Sequence, residues 1–147
     1  MNQLNKLNAI VRYGNLFRTP RLEGTGIGAC DRPYLFYIFH HEGVPQDTLS
    51  GALLVNKSSV ARRLAHLERE GLIARVPDEN DRRVLLVSLT DKARALMPLL
   101  REVAKEWNGI LTADFTPEEI DTFTHLISRA FDNAKAAARE VANEADL

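Results

Sequence analysis

Apolar positions along this chain recur with two different periods, and the change of period marks its organisation. Leu4, Leu7 and Val11, with Ile10 and Phe17 one turn offset, repeat at helical spacing and predict an amphipathic helix ending near Pro20. Asp31, with Pro33 just inside, is the expected N-cap of a second helix carrying Tyr34, Leu35, Tyr37, Ile38 and Phe39 into His40-His41-Glu42-Gly43. Leu49, Leu53 and Leu54 mark a short third helix, with Gln46 near its start. Asn56 is the expected cap of a fourth, in which Val60, Leu64 and Leu67 form one apolar stripe and Gly71 supplies a left-handed stop.

The period then changes. Residues 72–76 and 84–88 are short runs of β-branched and aliphatic residues, and Pro77-Asp78-Glu79-Asn80-Asp81-Arg82-Arg83 between them is turn chemistry plus charge. The spacing predicts a two-stranded hairpin with a projecting, charged tip. A helical period returns from about Thr90 to Leu111, with Leu96, Leu99, Leu100, Val103, Trp107 and Ile110 on a wide apolar face and Pro98 expected to kink it. Thr116-Pro117-Glu118-Glu119 is a strong start signal, pairing a threonine cap with a glutamate at N3. Ile120, Phe123, Ile127, Ala130, Phe131 and Ala134 then follow at helical spacing.

Two short helices, a tight turn and a hairpin between residues 44 and 90 form a helix, turn, helix, wing order, a device for reading duplex DNA. At about 100° per residue, the face of the fourth helix opposite its apolar stripe carries Ser58, Arg62, Ala65 and Arg69, with Ser59 and His66 on its flank. Lys57, Arg62 and Arg63 lie in one stretch without an acid, the local excess that phosphates demand. At the wing tip, Arg82 and Arg83 suit a narrow, electronegative minor groove, and Asp81 is placed to pair with one of them and fix its direction.

Composition narrows the rest. The formal net charge of the 147 residues is −1, so a DNA-binding surface must come from segregation of charge and not from excess. The length suits one domain and core, and one cysteine rules out an internal disulfide and fits a reducing cytoplasm. No apolar run is long enough to span a membrane, and no basic leader with an apolar core follows Met1. A Gly-rich phosphate loop, a nucleophile elbow and metal ligands at motif spacing are all missing, so neither an enzyme nor a cofactor is expected. Adjacent histidines on a helix point about 100° apart, which argues against His40 and His41 sharing a metal with Cys30 and Glu42.

Leu49-Ser50, the run from Val55 to Arg62, the run from Leu67 to Ile73, and Asp81-Arg82-Arg83 leading to Leu89-Thr90 together resemble the multiple antibiotic resistance regulator (MarR) family. The Asp-x-Arg wing before a strand ending in Leu-Thr is the more specific part of the likeness, which covers nearly the full chain. The resemblance implies a mainly α fold: a winged helix-turn-helix with a small β-hairpin wing, flanked by N- and C-terminal dimerisation helices. Residues 1–147 would form a single domain, with 31–90 reading DNA and 1–30 and 91–147 serving dimerisation. Base-edge and phosphate contacts would come from Lys57, Ser58, Ser59, Arg62 and Arg63, and a minor-groove contact from Arg83, oriented by Asp81 beside Arg82.

The terminal helices carry more apolar surface than a small winged domain consumes, which favours a homodimer on a pseudo-palindromic site. The resemblance implies a transcriptional regulator, by default a repressor relieved by a small aromatic or phenolic effector. Its cleft would be lined from the helices holding Arg18, Tyr37, His40, His41 and Trp107. Two alternatives stand beside it: a winged helix that binds only protein, and a regulator that senses oxidants through Cys30.

Overall fold

The computed structural model describes residues 2–145. In chain order its elements are α1 (Gln3–Arg21), α2 (Arg32–His40), β1 (Val44–Pro45), α3 (Gln46–Leu53), α4 (Lys57–Arg69), β2 (Ile73–Pro77), β3 (Leu85–Leu89), α5 (Asp91–Leu111) and α6 (Pro117–Ala145). The chain divides into two compact units, Met1–Trp107 and Asn108–Leu147. None of its helices, among the described residues, is long and apolar enough to cross a membrane.

The expected stripe organises the first unit. Val60, Leu64 and Leu67 of α4 are buried against Leu35 and Ile38 of α2, Leu49 of α3, Leu72, Val87 and the α5 residues Met97 and Leu100 in one cluster. Each such side chain removed from water contributes about 2 kcal/mol, so α4 is held mainly by its apolar face. Asn56 caps α4 as expected, its side chain accepting the Ser59 N–H at 2.8 Å, and Gly71 closes the helix at φ +70°. Leu54, expected within α3, instead lies just past its end at φ 54°, and it is exposed. A helix of 8 residues, about two turns, supplies too few buried positions for three leucines, and Leu49 alone is fully buried there.

The sheet has three strands, not two, in the order β1-β3-β2 and antiparallel throughout. Val44 pairs with Val87, Ile73 with Leu89 and Pro77 with Leu85. The hairpin strands begin one residue later than their hydrophobic runs suggest. Leu72 turns its side chain into the core as α4 ends, and its carbonyl accepts the Thr90 N–H at 3.1 Å.

Asp31 departs from its expected role as well. It directs no hydrogen bond at the first turn of α2, because its own backbone is helical (φ −83°, ψ −20°). The side chain bends back instead, and Oδ2 accepts the Gly28 N–H at 2.7 Å.

Two contacts tie the end of α4 to the start of α5. Thr90 Oγ1 donates to the Gly71 carbonyl at 2.6 Å, and Lys92 Nζ donates to the Glu70 carbonyl at 2.7 Å. Thr90 Oγ1 also accepts the Ala93 N–H at 3.3 Å, opening α5, which continues through Pro98. Glu42 bridges the other side, its Oε2 accepting the Leu89 N–H and its Oε1 accepting from Arg94 Nη2 at 2.9 Å.

The second unit holds the last residues of α5 and all of α6. Its entry is the anticipated capping box: Thr116 N–H donates to Glu119 Oε2 at 2.9 Å, and Glu119 N–H donates to Thr116 Oγ1 at 3.2 Å. Phe115 meets Phe123 edge to face at 5.6 Å. A groove of about 410 Å³ runs beside them, lined by apolar groups of Leu111, Ile120, Phe123 and Ile127. Phe123, Leu126, Ile127 and Phe131 of α6 are exposed, as are Leu4, Leu7, Val11 and Leu16 of α1 in the first unit.

Candidate nucleic-acid interface

Burying Val60, Leu64 and Leu67 turns the opposite face of α4 to solvent. Lys57, Ser58, Arg62 and Arg69 are exposed, and Ser59 is half-buried beside them. Asn56 Oδ1 accepts the Ser58 hydroxyl at 2.9 Å as well as the Ser59 N–H, which orders the first turn. Arg62 Nη2 donates to Ser59 Oγ at 3.2 Å, one turn back along the helix. The result is a pre-aligned cationic edge at the N-terminal half of α4, where a helix already favours anions.

At the wing, Arg83 and Asp81 form the clamp anticipated from sequence. Arg83 Nε donates to Asp81 Oδ1 at 3.1 Å and Nη2 to Oδ2 at 3.2 Å, while the Arg83 backbone N–H also donates to Oδ1. The Arg83 side-chain bond, followed by its backbone N–H, holds the Asp81 carboxyl below its ordinary range. Asp81 therefore stays ionised and keeps the guanidinium in one plane, with 91% of that side chain exposed. Arg82 is exposed next to it.

Arg63 faces elsewhere. Its Nη1 lies 3.1 Å from Oδ1 of Asp31, a carboxylate with no exposed surface. The ion pair is short, yet Oδ1 accepts no aligned hydrogen bond among the described residues. The two charges still attract at this distance, because charge attraction is far less directional than a hydrogen bond. His66 Nε2 stands 3.8 Å from Oδ2.

Sequence reading missed one arginine, Arg75 on β2. Its Nε and Nη2 donate to both oxygens of Glu68 on α4 at 3.2 and 3.0 Å, and Nη1 donates to Gln46 Oε1 on α3 at 3.1 Å. The bond to Arg75 holds Glu68 below its ordinary value, and the same bond raises Arg75. One guanidinium thus braces β2 against both α3 and α4. Partners 7 and 29 residues apart leave no local signal, and Arg75 read simply as a polar position of a strand.

The positions suggested for a ligand cleft fall in two groups. Arg18 of α1 lies against Gly14 and Trp107: a Cβ at Gly14 would meet both Arg18 Nη atoms at 3.1 Å and Trp107 Cε2 at 3.2 Å. Arg32, at the start of α2, stands over the Phe36 ring. Burial first, and then the neighbouring Arg18 charge, push its guanidinium below the ordinary arginine value. The Nε atoms of both arginines are buried and meet no protein acceptor among the described residues. His41, by contrast, stacks on Tyr37 at 4.1 Å, and its Nδ1 lies 2.9 Å from the Tyr37 main-chain carbonyl, which fixes the imidazole against that turn of α2. His40 is exposed at the end of α2. Cys30 is exposed and borders a cavity of about 290 Å³ with Tyr34, Leu53, Val55 and Arg63.

This geometry has counterparts in known proteins. A model of the MarR family matches residues 34–85, from the first core positions of α2 to the start of β3. The HTH-type transcriptional regulator YybA of Bacillus subtilis is 30% identical over 100 residues, covering 68% of this chain and 67% of its own. A MarR transcriptional regulator from Methanosarcina mazei superimposes with a TM-score of 0.83 at 32% identity, covering 88% of this chain and 94% of that one. A MarR family regulator from Listeria monocytogenes, solved with a 26mer DNA, shares the fold at a TM-score of 0.85 and 22% identity over 97% of this chain and 95% of its own. A winged helix with an exposed basic face on α4, an Asp-clamped wing arginine, and likeness over 88% of the chain at 32% identity lead to one assignment: the chain belongs to the MarR family of DNA-binding transcriptional regulators.

Proposed function

We propose that the chain represses transcription as a homodimer bound to a pseudo-palindromic duplex operator, and that a small anionic aromatic effector weakens that binding. Residues 31–90 are the reading part; 1–30 and 91–147 make the dimer. The observation that carries the reading is the pairing of two ordered cationic features, Arg62 on the exposed face of α4 and Arg83 on the wing. Lys57, Ser58, Ser59 and Arg62 meet the major groove, with Arg62 reaching a base edge and the others fixing register on phosphates. Arg82 and Arg83 enter the flanking minor groove, the latter aimed by Asp81. The Listeria regulator that shares this fold was solved with DNA, which supports the same use here.

The exposed apolar residues of α1, and separately those of α6, supply the surface that a second copy covers. A two-fold axis then presents two α4 helices to half-sites about one helical turn apart. For the effector, Arg18 and Arg32 offer two buried Nε donors beside Trp107 and Phe36, a combination suited to a carboxylate on an aromatic ring.

Selection of binding sites from a random duplex pool tests the reading. An inverted repeat with half-sites about one turn apart, bound with a steep salt dependence, is the expected result. Recovery of no motif, with weak binding even at low salt, would overturn it in favour of a protein-binding winged helix.

A further inference from the structure

Asp31 is the one charged side chain, among the described residues, that is fully buried. Burial of a carboxylate is costly unless a cation and hydrogen bonds compensate it. Here the compensation is divided. Gly28 N–H satisfies Oδ2 at 2.7 Å, and the approach depends on the missing side chain at Gly28, since a Cβ there would stand 3.1 Å from that oxygen. Oδ1 has only the Arg63 guanidinium at 3.1 Å, and His66 lies farther off at 3.8 Å from Oδ2. Arg63 itself is 38% exposed, so its side chain sits at the protein surface with its charge turned inward.

Arg63 follows Arg62 on α4, about 100° further round the helix. Arg62 keeps to the exposed face, whereas Arg63 is drawn to the flank by a carboxylate in a low-dielectric setting. A long, flexible cation at this position would otherwise extend to the phosphate backbone, where it adds affinity for any sequence and carries no base information. Taking Arg63 away would leave Oδ1 of Asp31 buried with no cation beside it, which opposes the move.

We propose that Asp31 is a specificity-determining residue: it holds Arg63 away from the DNA backbone, and so limits the sequence-independent share of binding by the reading helix. This rests on the DNA-reading role of α4 given above. Loop 28–31 thereby sets how many cations α4 offers to phosphates, without touching DNA itself.

Asp31→Asn is the decisive variant, because the amide oxygen still accepts the Gly28 N–H while the charge that restrains Arg63 is gone. Binding to a random-sequence duplex is measured by fluorescence anisotropy from about 50 to about 200 mM salt, for wild type, Asp31→Asn, Arg63→Gln and the double variant. Release of one cation to one phosphate should steepen the slope of log K against log salt by about 0.9. The affinity ratio of Asp31→Asn to wild type should therefore grow about 3.5-fold on going from 200 to 50 mM. Arg63→Gln alone should leave the wild-type slope unchanged, and the double variant should return to it. An unchanged slope in Asp31→Asn, with the wild type binding normally, would overturn this proposal alone. Failure of the wild type to bind any duplex in a salt-dependent way would overturn the DNA-reading role and this proposal with it. Should thermal melting show Asp31→Asn to be unfolded, Arg63→Gln decides: a slope shallower by about 0.9 would mean that Arg63 already contacts phosphate, which overturns the proposal.

Discussion

Glu68→Gln cuts the brace between the wing and α4 while keeping the length of the side chain. Glutamate accepts two N–H groups from Arg75, at 3.0 and 3.2 Å. Glutamine accepts one and turns an NH2 toward the other, so one bond keeps only the guanidinium's charge and one contact becomes donor against donor. The Glu68 side chain is 42% exposed, and solvent screens much of the attraction. Exposed ion pairs contribute about 0.2–1 kcal/mol, and the bidentate geometry, with Arg75 only 19% exposed, puts this pair near the top of that range. A loss of about 1 kcal/mol lowers Tm by about 2–4 °C in a chain of this size. Arg75 holds Glu68 below its ordinary value, so the stabilisation is fully present above the unfolded glutamate pKa, about 4.3, and disappears as pH falls through the folded value. Thermal melts of both proteins, followed by circular dichroism from about pH 7 to about pH 3.5, should show the full gap at neutral pH and a narrowing gap below about pH 4.3. Equal melting points at pH 7, or a gap that stays constant into acid, would refute the brace.

Two further outcomes follow from burial and exposure at the reading module. Leu64→Ala, at a position with no exposed surface, should cost about 2–5 kcal/mol in urea unfolding at an unchanged m-value; a cost below about 1 kcal/mol would mean that the face of α4 is not anchored by its stripe. Arg83→Ala should make the salt slope for operator binding shallower by about 0.9 without altering Tm, because the side chain is solvated and its polar partner, among the described residues, is the exposed Asp81; a slope equal to wild type would remove the wing from the interface.

Much of the reading module was legible because its signals are local. The stripe of Val60, Leu64 and Leu67, the Asn56 cap, the Gly71 stop and the box of Thr116 with Glu119 each involve residues within two turns of one another, where helical geometry alone decides contact. The Asp81–Arg83 clamp belongs to the same class, two residues apart. The features that escaped are those in which a distant partner outcompetes a local one. Asp31 has the sequence of a cap, but Gly28 N–H and Arg63, 32 positions away, draw its oxygens elsewhere. Strand β1 is two residues long and too short to show a period, and it exists because Val44 finds Val87. Arg75 gave no sign of its link to Gln46 and Glu68, since a lone arginine in a strand reads as solvated.

The bonds from Thr90 and Lys92 to the carbonyls of Gly71 and Glu70 have a mechanical meaning. Carbonyl oxygens of the main chain have no rotamers, so on the α4 side of this joint there is no side-chain slack to absorb a displacement. The threonine on the other side is equally constrained, because its one hydroxyl grips α4 and opens α5 together. The start of α5 and the end of α4 are therefore joined at this point by a short, stiff link through Thr90. Whatever fixes the attitude of that first turn of α5 also bears on the end of α4.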